Sequence, residues 1–186
     1  MRMTRSLVLG LLFLVGMVSA PVSASTPSSV ISLTQAGLLS GADSIRLKVW
    51  ACLARGDIAG ALALYEAQTG HAPPAWLLEL QVAYSAASQA VGKCQQVARS
   101  IHTAFTQLGQ APEYIAFKAN DKMSYIAFEL TSGNPPTITR NGYHVAVRVG
   151  DMIYDAYTGP LGMKLPDYLS RLHSPQGVAW QMVTTP

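Results

Sequence analysis

Three residues in the second half of the chain have the types and the order needed for thiol chemistry. Cys94 stands just after a glycine break in Gly92-Lys93-Cys94-Gln95-Gln96-Val97-Ala98-Arg99, where the pattern starts a helix. His144 lies near the start of a strand pattern in Asn141-Gly142-Tyr143-His144-Val145, and Asp155 closes Met152-Ile153-Tyr154-Asp155. A free thiol with a pKa of ~8.5 is mostly protonated at neutral pH, and only the thiolate attacks. The positive end of a helix dipole favours the thiolate, and a neighbouring imidazolium favours it more strongly. A carboxylate on the far ring nitrogen would hold the imidazole in one tautomer and stabilise its charged form. The expected roles are therefore Cys94 as nucleophile, His144 as base and Asp155 as the acid that orients the base. The backbone N–H of Cys94 is the natural oxyanion donor at a helix start. Gln89, upstream of the break, is the candidate for a second donor.

Helices must supply the first of these residues. Ile45, Val49, Trp50 and Leu53 recur at helical spacing until Gly56, and Asp57 is placed to cap a second helix that Gly70 closes. This pair reads as a helical hairpin in a supporting role. Pro73-Pro74 opens a third helix, expected to run to about Val91. The helix from Lys93 to Leu108 then carries Val97, Ile101, Ala104, Phe105 and Leu108 as one apolar stripe, with Gly109 as its stop. Cys94 stands at the head of that stripe, at the mouth of a core.

Strands must supply the other two. Tyr114–Phe117 and Met123–Leu130 have strand character, and Ser132–Pro136 reads as a loop. Thr137–Arg140, Asn141-Gly142 and Tyr143–Val149 read as a hairpin with a two-residue turn, in which Thr139 would face His144. Gly150-Asp151 is a second two-residue turn, pairing Val149 with Met152 and Val147 with Tyr154. In that register Val145, Val147, Val149, Met152 and Tyr154 share an apolar face. His144, Ala146, Arg148, Asp155 and Tyr157 share the other. His144 and Asp155 become diagonal neighbours, roughly 7–8 Å apart at Cα. A slip of one residue would separate them and also split the valines from Tyr154. A turn at Gly159–Gly162, a short helix over Leu165–Leu172 and a last strand over Val178–Val183 complete the pattern. Helices followed by an antiparallel sheet make an α+β fold.

The first 24 residues read as a signal peptide. Arg2 and Arg5 precede the apolar run Leu7–Val18, and Val22-Ser23-Ala24 supplies small residues for cleavage before Ser25. The run is too short for a spanning helix, so a secreted or periplasmic protein without a stable membrane anchor is expected. Residues 25–41 read as a Ser/Thr-rich linker, 42–91 as a helical region and 92–186 as the catalytic domain. The signal contains two of the 13 basic residues and none of the 10 acidic ones, so the remainder is one charge from neutral. With no basic stripe, no nucleic-acid partner is expected. His71, His102 and His173 are placed as surface residues, and no His/Cys/carboxylate spacing suggests a metal, so no cofactor is expected. An oxidising destination leaves one competing use for the thiols, a Cys52–Cys94 disulfide in a non-catalytic binding or structural protein. Cys52 falls instead within an apolar helical face, where a cysteine behaves as a small hydrophobe.

From Gly92 to Leu172 the chain resembles the papain-fold toxin domains of bacterial polymorphic toxins. The resemblance rests on an ordered set of pieces: Gly-x-Cys-x-x-x-Ala from Gly92, Asn-Gly-Tyr-His-Val from Asn141, Val-Gly-Asp-x-Ile-Tyr-Asp from Val149, Thr-Gly-Pro-x-Gly-Met from Thr158, and Tyr-Leu-x-x-Leu from Tyr168. The same Cys, His, Asp order is similar to that of transglutaminase-like enzymes. The resemblance implies a papain-like core, with a nucleophile helix packed on an antiparallel sheet, and Cys94, His144 and Asp155 in the roles already given. It implies a thiol-dependent amide hydrolase, a peptidase or glutamine deamidase, acting on a protein or peptide as a toxin or effector, with an immunity protein as a partner. Acyl transfer to an amine is the alternative chemistry.

Overall fold

A computed structural model of the chain describes residues 41–120, 125–131, 133 and 135–186. The expected signal peptide and nearly all of the expected linker lie outside the described residues. All described residues belong to one compact unit. Helices α1 (Gly41–Leu53), α2 (Ile58–Thr69), α3 (Ala75–Ala83) and α4 (Cys94–Gln107) come first. The strands β1 (Glu113–Ala119), β2 (Ile126–Phe128), β3 (Thr137–Thr139), β4 (Tyr143–Val149), β5 (Met152–Tyr154) and β6 (Met163–Lys164) follow. Helix α5 (Leu165–Arg171), β7 (Leu172–His173) and β8 (Val178–Val183) end the chain. The fold is α+β.

The strands form an antiparallel five-stranded sheet in the order β6-β5-β4-β1-β8 and a three-stranded sheet in the order β3-β2-β7. Two cores result, one on each face of the larger sheet. On one face Val145, Val147 and Tyr154 pack against α1–α4, with Val49, Leu77, Leu80, Ile101 and Phe105 fully or almost fully buried. On the other, Ile115, Phe117, Ala146 and Ile153 pack against Ile126, Phe128 and Ile138 of the small sheet and Tyr168 of α5. The ring of Phe105 lies between Trp50 of α1 and Tyr154 of β5, with centroids 5.4 and 4.6 Å away. The helical region and the sheet therefore share one packed layer.

The helix ends follow the sequence closely in most places. The Asp57 side chain accepts the N–H of Gly60 at 2.8 Å, and Gly70, at φ 68°, closes α2 by donating to the Glu66 carbonyl. Helix α3 is shorter than its pattern suggests, ending at Ala83 rather than near Val91. The hydroxyls of Ser85 and Ser88 both donate to the Val82 carbonyl at 2.7 Å. Serines that offer a carbonyl this alternative partner compete with helix propagation. A single 3-10 turn, Ala86–Ser88, follows, and Gly92 takes φ 83° before α4.

The expected hairpin between Thr137–Arg140 and Tyr143–Val149 does not form. β3 pairs with β2, while β4 pairs with β1 and β5, so Thr139 does not face His144 across a ladder. The reason is local chemistry at the turn. Asn141 Oδ1 accepts both the Thr139 hydroxyl and the Tyr143 N–H, and this side-chain turn passes the chain from one sheet to the other. Ile138 thereby joins the second core. The second hairpin has the expected register, Val149 with Met152 and Val147 with Tyr154, but the ladder stops at Tyr154. Asp155 lies just past it.

Gly162 keeps the β5–β6 corner closed. It holds φ +66°, and a Cβ added there would lie 2.6 Å from Tyr154 Cε1. Gly162→Ala should lower stability by about 1–3 kcal/mol through the strained backbone and the displaced ring. Chemical denaturation of the variant beside the parent chain tests this.

Candidate active site

The imidazole of His144 and the carboxylate of Asp155 are both buried, each 1% exposed, and Nε2 lies 3.0 Å from Oδ2. Strand alternation turns His144 away from the Val145–Val147 face, into the layer with Ala146 and Phe117. Asp155 is held by its own local turn. Its Oδ1 accepts the N–H groups of Tyr157 at 2.8 Å and Thr158 at 2.9 Å, and its N–H donates to the Thr158 hydroxyl. On Oδ2 it accepts the Tyr168 hydroxyl at 2.6 Å beside the imidazole. Each carboxylate oxygen thus has two donors. An acceptor so fully supplied stays ionised in a buried site.

The sulfur of Cys94 meets the other side of the ring. Helix α4 is anchored by Val97, Ala98, Ile101, Ala104 and Phe105, all buried, which leaves Cys94 half-buried at the helix mouth. Lys93 provides no side-chain cap, so the first-turn N–H groups remain free for an anion. The N–H groups of Gln95 and Val145 both point at the sulfur. His144 Nδ1 is buried and makes no hydrogen bond among the described residues. It still interacts electrostatically with the thiol at short range. Cys94, His144, Asp155, Ile138 and Tyr157 line one small enclosed cavity.

Protonation follows from this arrangement. Burial pushes the Cys94 thiol up, but the His144 ring and the two N–H groups overcome it and hold the thiol below its ordinary value of 9.0. Burial pushes His144 down, yet the bond to Asp155 and the neighbouring thiol bring it to about 9. Burial also pushes Asp155 up, while His144, Tyr168 and the Thr158 N–H carry it below 3.8. All three shifts run in the same direction, toward thiolate, imidazolium and carboxylate in a row.

The remaining expectations find definite places. Gln89 follows the 3-10 turn, and its Nε2 donates to the Ala156 carbonyl at 2.9 Å. It braces the segment before α4 against the turn that carries Asp155, so one of its two amide protons is already engaged. Both cysteines are free thiols, and Cys52 is buried in the helical core, where Arg55 approaches its sulfur. His71 and His173 are exposed, and the second pairs with Glu129. His102 is half-buried and stacked on Tyr114.

Tyr168 is the group that sequence reasoning did not single out for the site. It is fully buried, and its ring packs between Phe117 and Phe128. Its only clue in the sequence is its place in the Tyr-Leu-x-x-Leu piece, which looks like core. Tyr168→Phe removes a hydrogen bond to a buried charge and should cost about 1.5–3 kcal/mol at neutral pH. The folded-state pKa of Asp155 is lowered, so its stabilisation is present above the unfolded value and lost as pH falls through the folded one. The gap between wild type and Tyr168→Phe should therefore shrink on acidification below about pH 4. Denaturation curves for both proteins at pH 7 and at pH 3 measure it.

Comparison with known proteins adds family evidence to this geometry. No curated protein and no solved structure matches the chain. A family model described as papain fold toxin 2 matches residues 79–173. The match begins within α3, ends in β7, and includes Gln89, Cys94, His144, Asp155 and Tyr168. Covering more than half of the chain, it identifies this protein as a member of the papain fold toxin 2 family.

Proposed function

We propose that the chain is an exported thiol hydrolase of the toxin class, cleaving an amide in a protein or peptide through an acyl-enzyme. The observation that carries this reading is the buried imidazole set between a carboxylate with four donors and a thiol of lowered pKa. The thiolate of Cys94 adds to the amide carbonyl, and the oxyanion forms beside the N–H groups at the head of α4. His144 gives its Nδ1 proton to the departing nitrogen as the C–N bond breaks. Water then attacks the thioester, leaving its proton on His144, and the C–S bond breaks to release a carboxylic acid. Asp155 keeps the ring in place throughout and stabilises its charged form before and after the proton is passed on. Export rests on the N-terminal segment, and an immunity protein would be the partner that blocks the cleft in the producing cell.

Iodoacetamide labelling followed by mass spectrometry tests the chemistry. Cys94 should react rapidly at pH 7, its rate rising with pH through a value below that of an ordinary thiol. His144→Ala should move that limb upward, because the upward push of burial is then less opposed. Equal rates at Cys94 in both proteins would sink the assignment. Turnover should fall again as His144 loses its proton near pH 9, and Cys94→Ala should have no turnover at all. Ammonia release from a glutamine peptide, scored against new N-termini from the same peptide, separates deamidation from cleavage. Incorporation of an added amine would move the reading to acyl transfer.

A further inference from the structure

The open depression beside Cys94 carries a charge for which the reaction has no use. It has a volume of about 420 Å³, with Val91 on one wall, Arg140, Asn141 and Tyr143 on the other, and Cys94 between them. A space of that size suits side chains flanking a scissile bond. Among the described residues, Arg140 is the only basic one lining it, and no acidic residue does. The Arg140 side chain is exposed and makes no ion pair or hydrogen bond among the described residues. Its backbone is held from both sides, by the buried Thr139 and by the Asn141 side chain that accepts the Thr139 hydroxyl and the Tyr143 N–H. Lys93, also exposed, immediately precedes Cys94 on the helix side. The depression beside the sulfur therefore carries a cation presented from a fixed turn.

We infer that this site selects polypeptides with an acidic side chain close to the scissile amide, and that Arg140 is its specificity-determining residue. A planar guanidinium matches a carboxylate in shape as well as charge. With no partner among the described residues, the one on this cleft wall is available to a carboxylate that the substrate supplies. The inference rests on Cys94 being the reacting group. It names the feature that the substrate of this reaction presents.

Two pairs of dipeptidyl chloromethyl ketones test the idea. One pair exchanges Glu for Gln next to the electrophile, and the other makes the same exchange one residue further out. Second-order alkylation of Cys94 should favour Glu by about threefold to fivefold in at least one pair, as expected for an exposed ion pair at low salt. The preference should contract toward unity in about 0.5 M NaCl. Arg140→Glu should reverse it, the ratio being taken between paired probes on the same variant so that any change in thiol reactivity cancels. A Glu-to-Gln ratio of one in both pairs, or a ratio unchanged in Arg140→Glu, would overturn the inference. Slow iodoacetamide labelling of the wild type would instead reject the catalytic reading, since the ratio between paired probes remains measurable with any accessible thiol.

Discussion

A buried carboxylate that has all its hydrogen bonds is the constraint around which this fold is arranged. Moving a charge out of water costs several kcal/mol unless partners replace the lost solvation. Asp155 obtains those partners from three directions: its own turn through Tyr157 and Thr158, β4 through His144, and α5 through Tyr168. No single element could supply all four donors. The second core, the turn after β5 and the return of α5 beneath the large sheet are needed together. Removing any one of them would leave the carboxylate with an unfilled acceptor position in an apolar layer.

The electrostatics then propagate outward from that anion. Asp155 raises His144, and His144 lowers Cys94, so the push toward thiolate at the half-buried Cys94 originates in the interior. The start of α4 is suited to receive it. A helix without a side-chain cap normally loses about 0.5–2 kcal/mol relative to a capped one. Here the first turn has no side-chain cap, and the Gln95 N–H interacts with the Cys94 sulfur. The helix is held by its apolar stripe instead, and the Phe105 ring ties it to Trp50 and Tyr154. The buried stripe starts at Val97, which leaves Cys94 half-buried at the head of α4.

Much of this was legible in the residues themselves. The stripe from Val97 to Leu108 and the valines of β4 have clean periods, and their faces follow from chain geometry alone. The register of the second hairpin was readable because a two-residue turn leaves little freedom and a slip would expose several apolar residues. The first hairpin misled because Asn141-Gly142 has the composition of a tight turn. Its asparagine instead accepts hydrogen bonds from Thr139 and Tyr143. A dipeptide signal cannot distinguish those uses, since the choice depends on whether Ile138 finds a better core elsewhere.

The sequence alone determined which residues could react and the order of helices and strands that carries them, because residue chemistry and local periodicity are properties of neighbours along the chain. Only the tertiary structure decided that Cys94 and Asp155 approach opposite sides of one imidazole, that Tyr168 shares the carboxylate, and that Gln89 braces a turn. Those relations join segments distant in sequence, and a hydrogen bond is decided within tenths of an ångström. Packing across two cores sets such distances, and no pattern within one segment records it.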